Sequence, residues 1–372
     1  MKFDYSDEQR MLADSLRRFV DTEYPFETRR KIARERGSFD RRIWNLLAEL
    51  GVTGLTIPAE HGGFGESAAG QLVVQRELGR GLVLEPVIPV AMTAAILAAH
   101  GNPDQQSAWL PAIARGERIV TLAYLETDSR YRADAVKASA VRDGEGYRLD
   151  GVKVLVWHGN NADAWLVSAR LDGEVALFLV PRDAAGVTLS VYPAMDGSHG
   201  ADLRLNGVRL AADALVGGES GGLAALRTGI DTGIAAQCAA AAGAMERLIE
   251  VTAEYLRTRQ QFGRALATFQ ALQHRMADML VQKELALSMA YVAAQALDES
   301  DPDVRRRKLA GAKVMVARAG RFVGQQAVQL HGGMGMTDEL EVGDYFKSLT
   351  SFDVLLGDSD HHMAEYSAAM AA

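Results

Sequence analysis

Two stretches of the chain carry side chains suited to holding a phosphate-bearing, ring-bearing ligand. In "RTRQQFGRALATFQ" (257–270), Arg259 and Gln261 offer hydrogen-bond donors beside Gly263, where the missing Cβ lets a backbone or ligand come close. Phe262 adds a flat apolar face. Glycine inside a helix costs about 1 kcal/mol relative to alanine. An alanine-rich chain that places one here either serves a phosphate and an aromatic ring or ends a helix in exposed polar groups. In "GQQAVQLHGGMGMT" (324–337), Gly332, Gly333 and Gly335 expose backbone N–H groups that a cofactor could meet. The plain alternative is a helix C-cap and a turn. A third stretch, "DSDHH" (358–362), has the residue types of a zinc or iron site. One short segment does not converge ligands from separate elements, so no metal is expected. Asp358 or Ser359 as the N-cap of a helix accounts for it. Cys238, in "AAQCAAAAGA", reads as a buried inert thiol.

The elements that position these residues follow from periodicity. The 372 residues, 48% apolar and 24% charged, suit two or three structural units. Residues 1–118 read as helical: "SDEQRMLADSLRRFVDTEY" spaces Met11, Leu12, Leu16, Phe19 and Val20 at helical intervals, with Ser6 as N-cap. Residues 119–217 read as strands, short, β-branched and punctuated by Gly, Asn and Asp, with hairpins at "DGEGYRLDG" and "RLDGEVAL". Residues 218–372 read as long helices joined by short loops. The run 223–263 is too long for one uncapped surface helix, which implies a long buried helix with a break considered near Gly233. The fold expected is α+β: an N-terminal helical domain, a central β-barrel or sandwich, and a C-terminal four-helix bundle. A net charge of −8 argues against nucleic acid as a partner. "RRR" at 305–307 follows "DESDPD", so its charge is nearly cancelled and it reads as a solvated interhelical turn. No apolar stretch long enough for a membrane span and no signal peptide appear, and one cysteine suits a reducing compartment, so a cytoplasmic location is expected.

The helix–strand–helix order, together with "RTRQQFGRALATFQ", "AVQLHGGMGMT" and the early loop "IPAEHGGFGES", resembles the acyl-CoA dehydrogenase family along the whole chain. "DSDHH" also resembles the small subunits of heteromeric pimeloyl-type or sterol side-chain dehydrogenases. The resemblance implies FAD, an acyl-CoA thioester substrate, an electron-transfer flavoprotein as acceptor, and a tetramer whose flavins each lie across two subunits. It implies that Arg259 pairs with the pyrophosphate, with Gln261 and Phe262 beside it and Gln270 as a later polar contact. Gln329, Gly332 and Gly333 would receive the adenosine half, and Asp231 would contact substrate.

The chemistry so implied needs a base for the α proton, ordinarily a glutamate. Matching glycine to glycine in "SFDVLLGDS" puts Leu356 at that position. The alternative position on the long helix falls on Gly233, before Ile234. In "KVLVWHG", Leu155 and Trp157 stand where relatives carry a tryptophan and a threonine against the flavin, and "LETDSRYRADA" lacks the usual glycine. Three readings follow: a subunit of a heteromeric α2β2-type complex whose partner supplies the base; a self-sufficient homotetramer using a displaced base such as Asp353, one helical turn before Leu356; or a non-catalytic scaffold.

Overall fold

The computed structural model describes residues 5–34 and 37–371. The chain begins with six helices: α1 (Asp7–Glu23), α2 (Phe26–Arg34), α3 (Arg41–Glu49), α4 (Ala68–Arg80), α5 (Val87–His100) and α6 (Pro103–Ala114). Ser6 caps α1 as its sequence predicts. The Ser6 hydroxyl accepts from the Gln9 N–H, and the Gln9 side chain accepts from the Ser6 N–H. Of the apolar side chains spaced at helical intervals, Leu16, Phe19 and Val20 are buried, Leu12 is half-buried, and Met11, in the first turns, stays exposed.

Eight strands follow: β1 (Val120–Ala123), β2 (Ser139–Asp143), β3 (Gly146–Trp157), β4 (Ala164–Leu171), β5 (Glu174–Pro181), β6 (Val187–Pro193), β7 (His199–Leu210) and β8 (Leu215–Val216). They make one mixed sheet in the order β6-β7-β3-β2-β4-β5-β8, with β1 parallel to β4. Both expected hairpins form. Asp172 (φ 50°) and Gly173 (φ 90°) turn β4 into β5 through a pair of positive-φ residues, the geometry that suits a two-residue loop. Strand β3 is irregular where it matters. Its pairing with β7 slips between Lys153 and Val156, and Leu155 sits at φ 53°. A bulge re-aims the side chains around it, and this one leaves Leu155 56% exposed. Beneath it Lys153 is fully buried, its ammonium donating to Glu126 (2.6 Å) and Ser168 (3.0 Å). The Glu126 carboxylate also accepts the N–H groups of Lys137 and Ala138, so each buried charge has more than one hydrogen-bond partner.

The last part is α7 (Gly222–Thr258), a ribbon of β9 (Gln260–Gln261) and β10 (Arg264–Ala265), then α8 (Gln270–Ala296), α9 (Pro302–His331), α10 (Val342–Val354) and α11 (Ser359–Ala371). Helix α7 is continuous, and the break considered at Gly233 does not occur. Its small residues serve close packing instead. A Cβ on Gly79 of α4 would run into the Ala240 backbone, and one on Gly243 into the Arg76 backbone. Ion pairs Arg76–Glu246 (2.7 Å) and Arg80–Glu250 (2.8 Å) flank that contact. Arg29 ties three segments together. Its buried guanidinium donates to the Leu82 carbonyl, the Asp344 carboxylate and the Asp196 carbonyl. The arginines 305–307 lie inside the first turns of α9, after the Asp301 cap, rather than in the interhelical turn expected for them. None of the helices among the described residues is long and apolar enough to cross a membrane.

Candidate active site and cofactor rim

Helices α7 and α9 run the same way because α8 returns between them, so their C-terminal ends meet. The Tyr255 ring stacks on His331 with centroids 4.3 Å apart, and the Tyr255 hydroxyl donates to the His331 carbonyl (3.3 Å). One turn beyond Tyr255, Arg259 ends α7; directly after His331 come Gly332 and Gly333. Gln270 opens α8 at that same end. The structure therefore gathers Arg259, Gln261, Phe262, Gln270, Gln329, Gly332 and Gly333 on one rim, all exposed.

The glycine at 263 is not in a helix. Phe262 (φ 53°) and Gly263 (φ 80°) form the two-residue turn between β9 and β10. Phe262 is 89% exposed in a backbone region that disfavours bulky residues. Its ring meets Phe269 edge-on at 6.1 Å, and Arg264 lies over Phe269 at 4.0 Å. Gly332 takes φ 58° and ψ −138°, and a Cβ on Gly332 or Gly333 would meet nothing within 4 Å. Beside them the His331 Nε2 is buried with no hydrogen-bond partner among the described residues. An exposed guanidinium, an open glycine backbone and an unpaired ring nitrogen fit the phosphates and base of a dinucleotide.

The interior is different. A cavity of about 300 Å³ lies between the sheet, α5 and the end of α10, walled by Met92, Leu125, Leu155, Trp157 and Leu356 among others. Several polar groups on its wall are already engaged. The Tyr192 hydroxyl donates to Asp202 (2.9 Å) and accepts the Leu155 N–H (3.0 Å). His199 Nδ1 meets the Ser38 hydroxyl (2.6 Å), and the Ser198 hydroxyl donates to Asp196 (2.7 Å). The Trp157 indole N–H, on the same wall, is buried without a hydrogen-bond partner among the described residues.

The two positions where the family resemblance places a base lie against each other. A Cβ built on Gly233 would come within 2.6 Å of Leu356 Cδ1 and 2.8 Å of Met92 Sδ. Hydrocarbon from Leu356 thus fills the space that a longer side chain at 233 would need. Leu356 itself stands at φ 58°, an uncommon conformation for a bulky residue. The surroundings hold it there. The fully buried Lys313 ammonium donates to the carbonyls of Phe352 (2.5 Å), Leu355 (2.8 Å) and Gly357 (3.0 Å). That is a cation on the C-terminal end of α10, the favourable pole for it. His362 Nε2 lies 3.0 Å from the Leu356 carbonyl.

The proposed substitute base is placed elsewhere. Asp353 is buried, with Oδ1 accepting from the Ser359 N–H (3.1 Å) and hydroxyl (2.6 Å) and Oδ2 paired with Arg321. It does not line the cavity. The facing argument from sequence fails because α10 ends at Val354 and the chain then turns, so the helical interval does not carry through to Leu356. Asp231 lies on α7 and does not line that cavity. Burial raises its carboxyl to about 6, against the opposing charges of Arg305, Arg227 and Arg306. Asp358 accepts the His361 N–H (2.8 Å) at the start of α11, the capping role read from "DSDHH". Cys238 is buried and its thiol is pushed up to about 12 by desolvation, which leaves it inert. The sequence reading missed Lys313. Its signal was available: a lysine on the apolar face of "LAGAKVMVARAG" seldom lacks a structural partner.

Comparison with known proteins agrees with this architecture. Residues 6–117 match the acyl-CoA dehydrogenase N-terminal domain, and residues 220–371 the C-terminal domain. The acyl-CoA dehydrogenase FadE27 of Mycobacterium tuberculosis is 32% identical over 351 residues, covering 91% of this chain and 90% of that protein. The ChsE4-ChsE5 complex of Mycobacterium tuberculosis contains a chain that superposes with a TM-score of 0.90 at 29% identity, over 100% of this chain and 99% of that one. The Tcur3481-Tcur3483 steroid ACAD superposes with a TM-score of 0.90 at 28% identity, over 98% of each chain. The chain belongs to the acyl-CoA dehydrogenase family.

Proposed function

We propose that this chain is a subunit of an FAD-dependent acyl-CoA dehydrogenase that works in a heteromeric tetramer. In that complex it cradles the nucleotide half of a flavin whose ring lies in a partner subunit, and the partner supplies the base. The observation that carries this reading is the meeting of Gly233 and Leu356: hydrocarbon occupies both places where a carboxylate would take the α proton. FAD would supply the hydride acceptor for the α,β-dehydrogenation of an acyl-CoA thioester. Arg259 would hold the pyrophosphate as a bidentate cation, and the open backbone at Gly332 and Gly333 would admit the adenosine half, with Gln329 at its edge. Gln261, Phe262 and Gln270 would close around it, the exposed Phe262 ring losing water on assembly. Exposed Leu280, Val281 and Leu285 on α8 suit packing against a further subunit. Electrons would leave to an electron-transfer flavoprotein.

Similarity to a chain of the ChsE4-ChsE5 complex supports the heteromeric form. Both oxygens of Asp353 are engaged, which weighs against a self-sufficient enzyme. The rim weighs against a mere scaffold, which has no need of an exposed arginine and an open glycine cradle. The test is to express the chain alone and with a family member that carries the glutamate, then record flavin absorbance and acyl-CoA-dependent dye reduction. Flavin and turnover only in the pair is the expected result. Turnover by this chain alone, or none in any pairing, overturns it.

A further inference from the structure

A second cavity of about 120 Å³ adjoins the apolar cleft and shares the walls Pro89, Trp157, Asp196, Ser198 and Leu355 with it. It lies where α4, α5, α7 and α10 converge. Its lining differs from that of the cleft in one respect. Glu85 Oε2, Trp157 Nε1 and Gln237 Oε1 all belong to residues of this wall, and all three atoms are buried with no hydrogen-bond partner among the described residues. Glu85 and Gln237 are each 4% exposed. A buried polar group left unpaired is destabilising, and native interiors keep such groups few. The indole N–H and the amide oxygen are unused, and the Glu85 carboxyl is partly used, its Oε1 accepting the Asp40 N–H (3.4 Å) and the Tyr24 hydroxyl lying within its reach.

The chemistry of that set selects a ligand. The Trp157 indole donates and the Gln237 carbonyl accepts, so a complementary group must accept and donate at once. Glu85 gives or takes a proton according to its state, and burial pushes its carboxyl up to about 7. The wall's arginine is spent: Arg29 already donates to Leu82, Asp344 and Asp196, so no free cation waits for an anion. The volume holds roughly four waters, too little for a whole ligand but enough for the end of one. The neighbouring cleft, about 300 Å³ and walled by hydrocarbon, takes the rest.

We propose that this chain's own cleft binds an apolar molecule with a hydroxyl at its far end, the hydroxyl held by Glu85, Trp157 and Gln237. Leu356 and Gly233 leave no carboxylate at the two places where the family resemblance puts a base, so the molecule is bound and not turned over. The binding stands independently of the partner-subunit reading; only its lack of turnover rests on that reading.

The test uses the full-length chain, or the purified complex, in calorimetric titrations with 1-octanol, its methyl ether and octanoate. The alcohol should bind about tenfold tighter than the ether, which cannot donate, and octanoate weakest. Gln237→Leu should bring the alcohol down to the affinity of the ether and leave the ether unchanged. Trp157→Phe, which keeps the ring but loses the donor, should weaken alcohol and ether together. An alcohol that binds no tighter than its ether, a Gln237→Leu protein that binds it like wild type, or a cavity that takes only water overturns the proposal. Turnover of acyl-CoA by the chain alone would overturn the partner reading and leave the binding result standing.

Discussion

The rim at the ends of α7 and α9 and the cleft beneath α10 are built on opposite principles. At the rim, glycines are free, an aromatic ring faces water and a guanidinium stands exposed at 259. In the cleft, side chains are packed until Leu356 touches the place of a second side chain. Exposed apolar and cationic groups on an open backbone cost stability and suit something outside the chain. Hydrocarbon over a reaction centre gives stability and removes the chemistry. The first stays open, and in the second hydrocarbon from Leu356 blocks the place of a side chain at 233 while the rest of the cleft stays hollow, the contrast on which the proposed division of labour between subunits rests.

That contrast can be broken in several ways. The largest effect is expected at Lys313. Lys313→Met would leave the buried carbonyls of Phe352, Leu355 and Gly357 without a donor and free the Leu356 turn. A loss of about 3 kcal/mol or more is expected in chemical melts. A variant as stable as wild type would show that the turn does not depend on its clamp.

The second effect is nearly as large and depends on pH. Burial raises the Glu85 carboxyl from its ordinary 4.5 to about 7. A group whose folded value is raised contributes stability that is full below about 4.5 and declines as pH rises to about 7, because the folded state then keeps a proton that the unfolded state has lost. Wild type should therefore lose about 3 kcal/mol relative to Glu85→Gln across that window. Parallel stability curves for the two proteins would mean that Glu85 is not desolvated as the cavity implies.

At the rim, Arg259→Ala removes the charge for a pyrophosphate. Flavin affinity of the complex should fall about 10- to 100-fold, read from bound flavin after dialysis, with folding unchanged. Unaltered retention would move the dinucleotide elsewhere. The smallest effect separates the displaced base from the partner's. Asp353→Asn should change turnover of the complex less than about twofold. It should lower stability by about 1 kcal/mol, since the Arg321 partner is largely exposed. Loss of turnover would put the base back in this chain.

Much of this was legible in the sequence, and for identifiable reasons. Helical spacing at Leu16, Phe19 and Val20, and capping at Ser6, are local properties decided within one turn. So is the two-residue turn at Asp172 and Gly173. The absence of a glutamate at 356 and at 233 is written in the residue types themselves. What the chain order alone left open depended on contacts between distant segments. Gly263 read as an oddity in a helix because nothing nearby announced that Phe262 would take a positive φ and close a ribbon. Asp353 seemed to face the cleft until α10 ended one residue later.

The residue types determined which groups this chain has to offer: a cation, an open glycine backbone and an aromatic ring, but no glutamate at 356 or 233, where the family resemblance places a base. Only the tertiary structure decided that α8 returns to bring the first three to one rim, that Leu356 closes on Gly233, and that Glu85, Trp157 and Gln237 surround one small space. The physical reason is range. Capping and turn preferences act over a few residues, whereas a cavity is the space left over when four helices and a sheet pack, and no local preference fixes its walls.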